Sequence, residues 1–117
     1  MLELGTKGYQ ELVVTEELLA CNVGSGLVAV YATPMMIAGI EGTAAASVAP
    51  YLEDGQTTVG TQVNVSHVAA TPAGMKVHFE TKLVEIAPNG KILTFEVTAY
   101  DEAGSVSYTH LRAHETT

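Results

Sequence analysis

Residues 33–50 read TPMMIAGIEGTAAASVAP. Thr33-Pro34 is a helix start, because threonine is a favoured cap and proline is favoured at the first helical position. A helix from Pro34 to about Ala49 would be roughly 24 Å long. Apart from Glu41 its side chains are apolar or small on every face: Met35, Met36, Ile37, Ala38, Ile40, Ala44, Ala45, Ala46 and Val48. A helix that is apolar all round belongs in the centre of a protein. Pro50 ends it, and Glu53-Asp54-Gly55 reads as a turn.

After Thr57 the period of the pattern changes to two. Val59, Thr61, Val63 and Val65 fall on one face; Thr58, Gly60, Gln62, Asn64 and Ser66 fall on the other. After the turn Thr71-Pro72-Ala73-Gly74, residues Met75, Val77, Phe79, Thr81 and Leu83 alternate with Lys76, His78, Glu80 and Lys82. Pro88-Asn89-Gly90 is hairpin chemistry. Leu93, Phe95, Val97 and Ala99 alternate again, and Asp101 to Gly104 is another turn. Upstream, Lys7 to Val14 reads as a first strand. Thr15-Glu16-Glu17 reads as a capped start to a short helix ending near Cys21, closed by Gly24-Ser25-Gly26. Leu27 to Ala32 reads as a short strand or a loop lid.

The apolar strand faces need cover, and the helix at 34–49 is the only element long enough to supply it. The expected class is therefore α+β, an antiparallel sheet wrapped around one long central helix. The free edges of such a sheet invite pairing with a second copy.

At 117 residues the chain has room for one core. With 47% hydrophobic and 15% charged residues, it is not disordered by composition. Thirteen acids against five Lys or Arg give a net charge of −8, with no basic cluster. That argues against a nucleic-acid backbone as partner and against an anionic membrane surface. The 18–52 stretch carries a single charge but is broken by Gly and Pro, so it reads as core and not as a membrane span. One cysteine, Cys21, excludes an intrachain disulfide and a Cys-based zinc site. Cys21 reads as a buried small hydrophobe. The opening MLELGTKG has no apolar signal core, so a cytoplasmic protein is expected.

Glu41 is the one charge in the apolar helix. A buried carboxylate is costly unless it is partnered or neutralised. It is either a solvent-facing or hydrogen-bonded structural group, or part of a site. His67 ends a strand and is either a satisfied strand-end histidine or an imidazole placed to move protons near neutral pH. Thr33 is a helix cap, or a hydroxyl beside backbone N–H groups that favour a developing oxyanion. Gly60 interrupts a Val/Thr-rich strand, which signals a bulge or the close approach of a ligand. His78 alternates with charged residues and reads as solvent-facing. Thr33 and Glu41 lie eight residues apart, roughly 12 Å along one helix. A single site using both needs an extended substrate or a second subunit.

Three separated blocks carry a family resemblance: ATPMMIAGIE at 32–41, VAPYLEDGQTTVGT at 48–61 and VSHVAATPAGMKV at 65–77. With these the chain resembles the small hotdog-fold acyl-CoA thioesterases, in the group similar to fluoroacetyl-CoA thioesterase. The likeness extends more weakly over residues 4–104. It implies the hotdog fold and hydrolysis of an acyl-CoA, with a short acyl group, to a carboxylic acid and free CoA. It implies a catalytic trio of Thr33, Glu41 and His67, with Gly60 offering its backbone N–H to the thioester. It also implies a homodimer with sites at the subunit interface, and neither a metal nor a bound cofactor. Alternatives are a non-catalytic acyl-CoA-binding hotdog module, a hotdog hydratase or dehydratase, and a purely structural dimerisation domain.

Two departures from the family pattern stand out. The fluoroacetyl-specific pattern has an aromatic lid before the threonine, whereas residues 24–30 here hold no aromatic side chain. A general short-chain acyl-CoA is the expectation instead. The domain is expected over residues 1–104, with 105–117 (SVSYTHLRAHETT) an atypical tail. Within it Arg112 imitates the family's substrate-side arginine. SYTHLRAHET also resembles translated adapter sequence, so the tail is expected to be foreign. CoA phosphates want positive charge, for which Lys76, Lys82, Lys91 and Arg112 are the candidates.

Overall fold

The computed structural model describes residues 2–24 and 26–116. Five antiparallel strands form one sheet in the order β1-β3-β4-β5-β2: β1 (Lys7–Val13), β2 (Thr57–His67), β3 (Lys76–Ile86), β4 (Ile92–Asp101) and β5 (Gly104–Thr116). A one-turn helix, α1 (Ala20–Val23), and the long helix α2 (Thr33–Val48) precede β2. Helix α2 lies across the concave face of the sheet, chiefly on β3 and β1. This is the α+β, sheet-around-helix arrangement expected from the periodicity. Among the described residues no helix is long and apolar enough to cross a membrane.

The core joins Met36, Ile40, Ala44 and Val48 of α2 to Val77, Phe79 and Leu83 of β3, Leu93, Phe95 and Val97 of β4, and Val106 and Leu111 of β5. Each large side chain buried in this way contributes about 1.5–3 kcal/mol. The helix approaches closely because residue 39 is glycine: a Cβ there would stand 2.6 Å from the Phe79 ring. The phases expected for β3 and β4 hold, with Val77, Phe79, Thr81, Leu83, Leu93, Phe95, Val97 and Ala99 all buried.

Several local expectations are corrected. Thr15 makes no side-chain cap bond; a 3-10 turn (Glu16–Leu18) follows it, then α1. Cys21 is exposed, because α1 lies on the surface and buries none of its residues. Of the two readings of the 27–32 segment, the strand is not formed and the loop is: residues 27–30 are bends, and Tyr31 makes an isolated bridge with Leu19. The Ser25 part of the Gly24-Ser25-Gly26 break lies outside the described residues. Helix α2 begins at Thr33, so the cap position falls on Ala32, which has no capping side chain. Nor is α2 covered on every side. The sheet curls round one flank, leaving a stripe of Pro34, Ala38, Gly42 and Ala46 exposed within the single chain.

In β2 the pairing with β5 shifts between Gly60 and Gln62. This bulge reverses the face on which the preceding residues lie. Val59 is turned outward, half-exposed, while Gly60 faces the helix and Val63 and Val65 keep their inward phase.

The largest correction concerns residues 105–116, expected as a tail outside the domain. They form β5, an interior strand hydrogen-bonded to β4 on one side and β2 on the other. Val106, Leu111 and Ala113 from this strand belong to the core. Thr117 lies outside the described residues.

Candidate active site

The start of α2 and the end of β2 meet. Successive backbone bonds fix residues 31 and 32: Tyr31 N–H donates to Thr71 O at 2.7 Å, and Ala32 N–H to Leu18 O at 2.9 Å. Thr33 then enters the helix with its hydroxyl free of capping duty. Its Oγ1 lies 2.7 Å from His67 Nδ1, a hydrogen bond whose donor depends on the imidazole tautomer. His67 reaches inward because it continues the phase of Val63 and Val65 on β2. Its other nitrogen, Nε2, is buried and has no hydrogen-bond partner among the described residues.

Burial pushes the His67 pKa below the ordinary histidine value of 6.5, and the Ala69 backbone works partly against that. The imidazole is therefore neutral at pH 7, with one nitrogen on the Thr33 hydroxyl and the other unused. Such a group can accept or donate a proton. The pair opens on a hollow of about 370 Å³, whose walls include the aliphatic side chains of Ala20, Val28, Val30, Val68, Ala69 and Ala70. Tyr31 also lines it; burial raises that phenol to about 12, so it stays protonated.

Glu41 lies two turns further along α2, half-buried. Its carboxylate rests against the Gly60 backbone, in the space that any side chain at residue 60 would take. Both residues line a second hollow of about 320 Å³, with Thr58, Val59, Leu111 and Ala113. The bulge reading of Gly60 is realised, and the group that stands against its backbone is the Glu41 carboxylate.

One chain thus joins Thr33 to His67 and Glu41 to Gly60, but keeps the two pairs in separate hollows. Arg112 joins neither. The pleat of β5 turns Leu111 and Ala113 toward the helix and Arg112 outward, where it is exposed. None of Lys76, Lys82 and Lys91 lines either hollow; Lys76 instead pairs with Glu11 at 3.7 Å on the outer face. His78 is on that face too, stacked between Tyr9 and Tyr100. Among the described residues no group of three His, Cys, Asp or Glu is placed to hold a metal ion.

Two buried residues escaped the sequence reading. Thr71 and Asp101 read as turn residues from sequence, yet Thr71 Oγ1 donates to Asp101 Oδ2 at 2.8 Å in the interior. Nothing in a sequence pairs two turns thirty residues apart.

A sheet wrapped round one long helix is the hotdog fold. A hot-dog-like protein from Thermanaerovibrio acidaminovorans has the same fold, with a TM-score of 0.87 at 18% identity over 99% of this chain and 84% of that one. The profile of the fluoroacetyl-CoA-specific thioesterase family (FlK) matches residues 14–113, and the chain belongs to that family. It is 38% identical over 85 residues to the fluoroacetyl-CoA thioesterase of Streptantibioticus cattleyicolor, a match covering 72% of this chain and 60% of that relative's length. A phenylalanine-to-alanine variant of the fluoroacetyl-CoA-specific thioesterase FlK, solved with fluoroacetate and CoA, superposes with a TM-score of 0.90. It is 27% identical, over 98% of this chain and 95% of that one.

Proposed function

We propose that the chain hydrolyses a short-chain acyl-CoA to the carboxylic acid and free CoA, working as a homodimer. The observation that carries the reading is the Thr33–His67 hydrogen bond with His67 Nε2 left unpartnered beside an aliphatic hollow. A histidine kept only for packing would have both nitrogens satisfied.

In this reading the acyl group enters the hollow beside Thr33 and His67. Glu41 either takes a proton from the water that attacks the thioester carbonyl, or attacks that carbonyl itself to give a mixed anhydride that water then hydrolyses to the acid and free Glu41. The C–S bond breaks from the tetrahedral adduct, and the CoA sulfur leaves as thiolate or takes a proton relayed by His67. Backbone N–H groups at Gly60 and at the start of α2 hold the negative oxygen. Thr33 orients the imidazole. The chain's own residues supply every one of these roles, with no metal or bound cofactor.

Two features support the dimer. Strand β2 is a sheet edge of eleven residues. The exposed stripe on α2 is made of small side chains that suit close contact. Pairing of this kind hides the edge and lets the Glu41 hollow of one copy face the Thr33–His67 hollow of the other. The aliphatic walls, without an aromatic lid, favour a range of short acyl groups over fluoroacetyl alone. The reducing cytoplasm suits the exposed free thiol of Cys21.

The test is thiol release from acetyl-, fluoroacetyl-, butanoyl- and hexanoyl-CoA, for the unaltered chain beside Glu41→Gln and His67→Ala. Turnover by the chain that collapses in both variants is expected. A folded dimer that binds acyl-CoA but releases no thiol would overturn the reading in favour of a binding module.

A further inference from the structure

Asp101, at the end of β4, is a buried carboxylate with no part in the chemistry above. Its oxygens are fully engaged. Oδ1 accepts the N–H groups of Ala103 at 2.8 Å and Gly104 at 3.1 Å, and Oδ2 accepts the Thr71 hydroxyl at 2.8 Å. Bonds to an ionised acceptor are the stronger kind, and they fix the partner's position. Thr71 is completely buried, and its own carbonyl accepts the Tyr31 N–H at 2.7 Å.

These contacts close a ring. From His67 the chain runs four residues to Thr71, crosses by the backbone hydrogen bond to Tyr31, runs two residues to Thr33, and returns by the Thr33 Oγ1–His67 Nδ1 bond. The ring includes much of the wall of the aliphatic hollow: Tyr31, Thr33, His67, Val68, Ala69 and Ala70. Among the described residues the Thr71 side chain ties this ring to β4 through Asp101.

We propose that Asp101, acting through Thr71, is a positioning residue that holds Thr33 and His67 at hydrogen-bonding distance. The proposal rests on the reading of those two residues as the reactive pair. Val68 N–H is tied separately to Val106 O at 2.8 Å, so releasing Thr71 loosens residues 69–71 and the partner of the Tyr31 N–H, and with them the approach of Thr33 to His67. A displacement of about 1 Å at a reacting group costs on the order of 100-fold in rate.

The test uses the full chain with Thr71→Val, which keeps the shape and loses the hydroxyl, and Thr71→Ser, which keeps the hydroxyl. Readouts are the thermal midpoint, the NMR titration of the His67 ring (assigned with His67→Ala), and kcat and KM on the best acyl-CoA. In Thr71→Val the His67 titration is expected to move up toward the ordinary histidine value. Its kcat is expected to fall about tenfold or more with KM held within about twofold. Thr71→Ser restores both. A Thr71→Val protein that melts earlier but keeps the His67 titration and kcat overturns the proposal, as does failure of serine to rescue. If Thr71→Val does not fold, Thr71→Ala, which also lacks the hydroxyl, is read the same way. Unfolding in both variants marks a purely structural pair, and the proposal falls. A chain that hydrolyses no acyl-CoA defeats the functional reading alone, because the His67 titration still decides this one.

Discussion

The Glu41 carboxylate stands where a Cβ on Gly60 would be, so the two positions exclude one another sterically. Gly60 is the residue that makes room, and its backbone conformation asks for no glycine, since its φ is not positive. Gly60→Ala should therefore fold, with a thermal midpoint within a few degrees of the original. Its kcat should drop about 100-fold, equivalent to about 2.7 kcal/mol of transition-state stabilisation. Steady-state kinetics beside a melting curve check this; unchanged kcat would remove Glu41 from the chemistry.

The neutral state of His67 has a pH signature. Its folded pKa lies below the unfolded 6.5, so between the two values the unfolded chain binds more protons. This contribution to stability is whole above pH 6.5 and is lost as pH falls through the folded value. The same titration sets activity: the acid limb of kcat/KM should have its midpoint below 6.5. A midpoint at or above 6.5 would show that the imidazole is not held in the desolvated position described.

Ala38 lies in the middle of the exposed stripe on α2. If that stripe is the contact between copies, Ala38→Glu places two charges against each other in a closely packed seam. Light scattering after size exclusion should show a dimer for the unaltered chain and a monomer for the variant. Thiol release should fall with dimer content. A variant that stays dimeric and active would place the contact elsewhere.

Strand β5 makes a sharper claim. A chain ending at Gly104 loses the interior strand that joins β4 to β2, and with it the core side chains Val106, Leu111 and Ala113. It should show no cooperative thermal transition by circular dichroism. A folded product would mean that residues 105–116 are dispensable to the domain.

The fold was legible where one local signal dominated. The helix at 33–48 announced itself by its Thr-Pro start and unbroken apolar run. β3 and β4 announced themselves by alternation, because each has one wholly buried face. β5 was hidden because its inward face is largely polar or small. Ser107 and Thr109 are buried, with their hydroxyls 3.2 Å apart, between Val106 and Leu111. A register shift opposite Ala99 and Tyr100 also buries Val106 and Ser107 in succession and spoils the period. In β2 the bulge at Gly60 reversed the face of Val59, which strict alternation cannot anticipate.

At the site, Glu41 and Gly60 stood out by incongruity, one a charge among apolar residues and the other a glycine in a strand. Thr33 was legible as a helix start, but its hydroxyl serves His67 and caps nothing. Arg112 was picked by a motif, which fixes spacing along the chain and not the side of the sheet on which the side chain lies. Thr71 and Asp101 were invisible because their meeting depends on the tertiary fold.

The separation of Thr33 from Glu41 has a mechanical side. Both ride on the same rigid rod, with roughly 100° of rotation and about 1.5 Å of rise between consecutive residues. Side-chain motion alone cannot change that spacing, so α2 works as a ruler against which a bound molecule is measured. One residue inserted between Pro34 and Ile40 would swing one end of the ruler about 100° round the axis. Either the Glu41 carboxylate would leave its notch at Gly60, or the Thr33 hydroxyl would leave the imidazole. The segment between the two groups therefore tolerates exchange of its small side chains far better than any change in its length.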